Sequence, residues 1–292
     1  MDQHGITTDL RKKASIIQQM AQQCRIEVFE MIHRRGNGHW GGSSSCMEIL
    51  ATLYFYILKI DPKNPTWEER DRIILSKGHA APILYNVLAH KDFFPLEELA
   101  SFRSLNSRLQ GHPCMLKTPG VELSTGSLGH GISVGLGMAL AARLTQKVYW
   151  TFVLVGEGCL NEGQSWEALM ATAKYKPSRF VVMVDYNKVQ LDGTNDAIMP
   201  LEPLRNKFES FNLTVAPEVY DGHNVWEIMR SWQWAQQHQE VPCIIIFDTH
   251  KGKGISFTED DPKWHGCPID NQSYQAGKIE LENTLNRNND ES

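Results

Sequence analysis

The chain has 292 residues, enough for one large core or two modest ones, and its 41% hydrophobic and 22% charged content is ordinary for a soluble globular protein. A net charge of −5 and the lack of any Lys/Arg run argue against nucleic acid as the main partner. No apolar run is long enough to span a membrane, the N-terminus lacks the apolar core of a signal peptide, and the six cysteines show no paired spacing, which together point to reduced thiols in a cytoplasmic protein.

Residues 8–35 read as a long helix with Leu10, Ala14, Ile17, Met20, Ala21, Cys24, Val28 and Met31 on one apolar face, capped by Thr8 or Asp9. Gly38-His39-Trp40-Gly41-Gly42 reads as a loop, before a helix from Met47 to about Leu58. Its glycines suit a loop that approaches a ligand, although a lone histidine is more often structural or solvated. Residues 71–76 predict a short apolar strand with Gly78-His79 at its end, and Lys77 reads as solvent-exposed. Residues 92–110 look irregular apart from a short helix after Pro95, and Gly111-His112-Pro113 follows. A polar, glycine-rich loop, 124–131, then opens a helix over 132–144. There Gly131, Gly135, Ala139 and Ala142 permit close packing.

The organising stretch is 148–189. Val148 to Val155 is an unbroken apolar run, as expected of a strand buried on both faces. Gly156-Glu157-Gly158 ends it, a helix follows from about Glu162 to Tyr175, and a second buried run, 180–184, ends at Asp185-Tyr186-Asn187. Such a unit joins two parallel strands, so Glu157 and Asn187 fall at one edge of the sheet, where open α/β sheets bind ligands. A carboxylate, an amide oxygen and a nearby backbone carbonyl are hard oxygen donors suited to a magnesium ion that phosphates also hold. Gly158 and the following helix N-terminus suit the phosphates themselves. The triplet alone is more often a tight turn that uses glycines; joined to the strand, the helix and Asn187 it is far more specific.

Beyond it, 203–210 predicts a short helix, 213–220 a strand, Asp221-Gly222-His223 a structural turn, and 224–238 a helix. Residues 241–249 form a third buried strand that runs into the basic glycine turn His250-Lys251-Gly252-Lys253-Gly254. Residues 272–292 are polar and are expected to fray. The predicted architecture is an α/β fold, an open, mostly parallel sheet with helices on both faces, with residues 1–271 as one domain and 272–292 as a tail.

Gly156-Glu157-Gly158, about thirty residues before Asn187, resembles the thiamine-diphosphate motif. With Glu162-Gly163-Gln164, Trp166-Glu167-Ala168 and Asp185-Tyr186-Asn187, the chain from about residue 16 to 266 resembles transketolase, and more narrowly the N-terminal subunit of the split, two-chain transketolases. One position departs from the family pattern: Glu157 stands where the family usually has Asp, so the metal-binding arm is one methylene longer.

The resemblance implies thiamine diphosphate and Mg2+ (or Ca2+ or Mn2+) as cofactors. It implies His39, His79, His112 and His265 as active-site histidines, with His79 and His265 also near the cofactor diphosphate. Gly126, Ser127 and Leu128 would contact the aminopyrimidine, and Gly156, Gly158, Asn187 and Lys251 the rest of the cofactor. Glu157, Asn187 and the Val189 carbonyl would hold the metal, while Glu162 and Glu167 would lie at a subunit contact. It gives His130 no role. The implied reaction moves a two-carbon ketol group between sugar phosphates, as in the pentose phosphate pathway. A separate C-terminal subunit would complete the site in an α2β2 assembly. Rival readings are a deoxyxylulose-phosphate synthase-like protein, the α chain of a thiamine-dependent dehydrogenase component, a transketolase for an unusual sugar, or a non-catalytic regulatory subunit that lost metal binding.

Overall fold

A computed structural model describes the backbone of residues 3–290 and the side chains of residues 8–287. In chain order the elements are α1 (Gln3–Arg35), α2 (Trp40–Ser44), α3 (Met47–Thr52), β1 (Arg72–Leu75), α4 (Ala81–His90), α5 (His130–Leu144), β2 (Thr151–Gly156), α6 (Glu157–Leu160), α7 (Gly163–Tyr175) and β3 (Phe180–Tyr186). They continue with α8 (Asn195–Ile198), α9 (Leu204–Ser210), β4 (Thr214–Val215), β5 (Tyr220–Asp221), α10 (Val225–Gln237), β6 (Cys243–Asp248) and α11 (Asn271–Asp290). The strands form one sheet in the order β1-β2-β3-β6-β4, with β5 also on β6, and every ladder is parallel.

The continuous apolar runs are explained by burial on both faces, since successive side chains of a strand point opposite ways. Phe152 and Leu154 of β2, Val181 and Met183 of β3, and Ile245 and Phe247 of β6 join α1, α3, α4 and α10 in one core. Val153 and Val155, Val182 and Val184, and Ile244 and Ile246 join α5, α7 and α9 in the other. Each such side chain contributes about 1.5–3 kcal/mol when fully buried. The small residues of α5 serve close contact: a Cβ on Gly135 would sit 2.4 Å from Val153.

Four local expectations change. The first helix extends back to Gln3, so Thr8 and Asp9 lie inside it rather than at its N-terminus. The segment after His39 is not all loop, because Trp40–Ser44 forms a helical turn with Trp40 buried. In place of one strand over 213–220 there are two two-residue strands, Thr214–Val215 and Tyr220–Asp221, that pair with opposite ends of β6. The polar C-terminal segment does not fray: Asn271–Asp290 is helical and packs on α1. Tyr274, Gly277 and Leu281 recur at helical spacing on its inner face. The Tyr274 ring stacks on His33 at 4.0 Å, Leu281 is fully buried, and the Leu281 carbonyl accepts a 2.9 Å hydrogen bond from Gln22. A narrow apolar stripe suffices to hold the helix, and average polarity hides it.

Candidate active site

The carboxyl ends of four adjacent strands bring the predicted residues to one edge. β1 leads into Lys77, Gly78 and His79; β2 into Glu157; β3 into Asn187; and β6 into Thr249 and Lys251. The register sets Gly156 beside Asp185 and Tyr186 beside Asp248, so these ends are level.

Four histidines from separate segments converge there. The ring of His39 lies 5.5 Å from His79, 5.4 Å from His265 and 6.0 Å from His112, and His79 lies 5.0 Å from His265. A Cβ on Gly42 would sit 2.7 Å from His79 Nε2, so glycine there leaves the imidazole its place. Burial and neighbouring cations lower all four basicities. His39 falls to about 4, His265 to about 3, His79 goes well below its usual value, and the more exposed His112 also falls. Near neutral pH each is therefore an uncharged ring with one donor and one acceptor nitrogen. His265 Nδ1 and Thr125 Oγ1 are buried with no hydrogen-bond partner among the described residues, so both remain available to a ligand.

A second cluster lies beside the histidines. Lys77, expected in solvent, is buried and paired with Asp185 of β3, which is wholly buried. Ser45 Oγ donates to Asp185 at 2.6 Å and Thr249 Oγ1 at 2.5 Å, and Lys77 Nζ also donates to Ser45 Oγ at 3.1 Å. Burial opposes both charges, but mutual attraction outweighs it: the Asp185 carboxyl is held low and the Lys77 ammonium high. Sequence reading missed this network. Its signal was an aspartate ending the apolar run of β3, since a buried carboxylate requires a cation.

Glu157 is buried and accepts the backbone N–H of Lys188, whose left-handed φ of 65° marks the turn after Asn187. Burial and the charge of Asp185 raise its carboxyl to about 7. Asn187 Oδ1 accepts from the Val189 N–H at 3.2 Å, and Asn187 Nδ2 donates to Ser45 at 3.4 Å. Lys251 Nζ donates to the Val189 carbonyl at 3.1 Å and the Gln190 carbonyl at 2.6 Å; burial and Lys77 lower it to about 8. The Glu157 carboxylate thus meets the 187–189 turn through the Lys188 N–H, and with the Asn187 amide oxygen and the Val189 carbonyl it is a donor set of the kind a hard divalent cation takes, whose charge would offset the cost of burying Glu157.

Leu128 reaches the backbone of Gly158, its Cδ1 3.3 Å from where a Cβ would stand, so the 126–128 loop meets the Gly156-Glu157-Gly158 turn. Gly126 and Ser127 are exposed on that loop. Glu162 and Glu167 stand in solvent at the start of α7, outside both clusters. His223, at the predicted structural turn, accepts the His250 N–H at Nε2 and donates through Nδ1 at 3.1 Å to buried Glu48, which Arg25 also holds at 2.7 Å.

A parallel sheet with hard oxygen donors and neutral histidines at its carboxyl edge defines an enzyme domain built for a phosphorylated cofactor. The family described as transketolase, thiamine diphosphate binding domain, matches residues 16–286. The chain is 40% identical over 274 residues to the 6-deoxy-6-sulfo-D-fructose transketolase subunit SqwG of Clostridium sp. (strain MSTE9), covering 94% of this chain and 96% of that protein. It is 37% identical over 257 residues to an apulose-4-phosphate transketolase subunit of Phocaeicola vulgatus, covering 88% and 90%. The crystal structure of Campylobacter jejuni transketolase superposes with a TM-score of 0.82 at 31% identity, over 94% of this chain but 47% of that one. The chain belongs to the transketolase family and corresponds to its thiamine-diphosphate-binding domain. It matches split-transketolase subunits nearly end to end and spans about half the length of that solved transketolase.

Proposed function

We propose that this chain is the cofactor- and metal-binding subunit of a two-chain transketolase, completed by a separate C-terminal subunit in an α2β2 assembly and acting on anionic sugars in the cytoplasm. The observation that carries the reading is the convergence of four neutral histidines beside Glu157, Asn187 and the Val189 carbonyl. When bound, thiamine diphosphate supplies the carbon nucleophile and the electron sink that C–C cleavage needs. This chain's residues do the rest. Glu157, Asn187 and Val189 hold Mg2+, and Lys251 and His265 supply donors to the diphosphate. His39, His79 and His112, held uncharged, each present one donor and one acceptor nitrogen to sugar carbonyls and hydroxyls, and the exposed His112 is the candidate among them for proton transfer. Gly126 to Leu128 receive the aminopyrimidine, and Glu162 and Glu167 meet the neighbouring subunit.

The test is magnesium- and thiamine-diphosphate-dependent transfer from xylulose 5-phosphate to ribose 5-phosphate, on this chain alone and co-purified with its partner. Activity in the complex only is the expected result; full activity of the isolated chain would overturn the two-chain reading. Because the relatives above are named for 6-deoxy-6-sulfo-D-fructose and apulose 4-phosphate, both sugars belong in the donor panel. A complex inactive with every donor would favour the regulatory-subunit alternative.

A further inference from the structure

Arg103 stands at the open side of the histidine cluster and has no assigned part in it. Its guanidinium Nη1 donates at 3.0 Å to Asn37, two residues before His39. The same guanidinium lies against Gly111, directly before His112: a Cβ on Gly111 would be 2.8 Å from its carbon. Arg103 thus spans the loops that carry two of the four histidines. Its backbone has φ 54°, a left-handed conformation unfavourable for arginine, and its N–H donates to the Leu109 carbonyl at 2.7 Å.

Arg25, Arg70 and Arg108 each hold a glutamate, but among the described residues no carboxylate pairs with Arg103. A guanidinium has five N–H donors, and the one hydrogen bond found for this side chain uses one of them. The side chain is only partly buried, and the neighbouring His112 is exposed. After burial, the Arg103 charge is the largest influence lowering the basicity of both His39 and His112. The result is a positioned cation, 6.0 Å from the Phe102 ring centroid and with no carboxylate partner among the described residues, beside uncharged imidazoles, which favours a tetrahedral oxyanion bound through paired N–H donors.

We propose that Arg103 is a specificity-determining residue of the transfer reaction, binding the phosphate or sulfonate group of the sugar. This rests on the transketolase reading above, and it adds a cation of this chain to the anion grip expected from the partner subunit.

The test uses the reconstituted two-chain complex with thiamine diphosphate and Mg2+. Wild type, Arg103→Gln and Arg103→Lys are assayed with matched acceptors, ribose 5-phosphate against ribose, and with sulfonated and phosphorylated ketose donors. The expected result is a fall of about tenfold or more in the charged-to-uncharged kcat/KM ratio for Arg103→Gln, carried by KM. Arg103→Lys should fall less, and inhibition by inorganic phosphate should weaken in parallel. The donor arms decide which oxyanion the site prefers. Equal losses on charged and uncharged acceptors would show that Arg103 only ties two loops together, and no change in the ratio would equally overturn the proposal. A wild-type complex that transfers nothing to either acceptor would instead overturn the underlying reading, and the inference with it.

Discussion

Lys77 and Asp185 form an ion pair beneath the carboxyl edge of the sheet, with relative exposures of 2% and 0%. Lys77 follows β1 and Asp185 lies in β3, with β2 between them, so the pair bridges the strand that presents Glu157. The same aspartate takes hydrogen bonds from Ser45 before α3 and Thr249 after β6. One buried carboxylate therefore ties together the loops that carry the histidines and the proposed metal donors.

Lys77→Met leaves Asp185 buried without its cation and should destabilise the protein by about 3–5 kcal/mol. The double variant Lys77→Met/Asp185→Leu removes both charges and should cost much less than the two single losses added together. Urea unfolding of Lys77→Met, Asp185→Leu and the double variant checks this, and simple additivity would mean that the pair is not coupled.

Glu157→Gln should have opposite effects with and without metal. In the metal-free chain it removes a buried charge next to Asp185 and should raise stability at pH 8 by roughly 1–3 kcal/mol. It should also weaken magnesium-dependent binding of thiamine diphosphate by on the order of tenfold or more, by losing the charged donor. Thermal melts of the metal-free chain and a fluorescence titration of the complex measure the two effects separately. Glu157→Asp should retain the metal dependence.

The half-buried His39 and His265 make the metal-free chain acid-sensitive. His39 and His265 titrate near 6.5 when unfolded, but folding lowers them to about 4 and about 3. Below pH 6.5 the unfolded chain binds protons that the folded chain refuses, so stability is full above 6.5 and falls as the pH drops towards 4. Denaturation midpoints between pH 7 and 5 should decline, and the decline should be shallower in His39→Gln and His265→Gln. An unchanged slope would mean that the rings protonate normally in the fold.

Leu281→Ala should cost about 2–5 kcal/mol, as for a fully buried leucine in a well-packed site. Ser273→Ala, on the same helix but without such burial, should cost little. Equal, negligible losses in chemical denaturation would mean that the last helix does not dock on the first.

The sheet was legible because a parallel strand buried on both faces has to be apolar throughout, and 151–156, 180–186 and 243–248 are nearly so. The placement of Glu157 and Asn187 followed, since consecutive parallel strands end on the same side. His39, His79, His112 and His265 could be named through glycine-flanked motifs, but no local pattern states that their rings lie within 6.0 Å of a neighbour.

Lys77 and the C-terminal segment were misread for related reasons. Residue type predicts an average environment, and a lysine is usually in water, but Lys77 is buried because Asp185, 108 positions later, is buried opposite it. The segment after 271 is polar on average, but Tyr274, Gly277 and Leu281 have the surface of α1 to cover. Sequence alone determined which segments are strands and which chemistry reaches the sheet edge, because backbone periodicity and burial act locally along the chain. Only the tertiary structure decided which charges are paired, which histidines stay neutral, and that Arg103 has no carboxylate partner among the described residues, because electrostatics in a low-dielectric interior depends on neighbours that are distant in sequence.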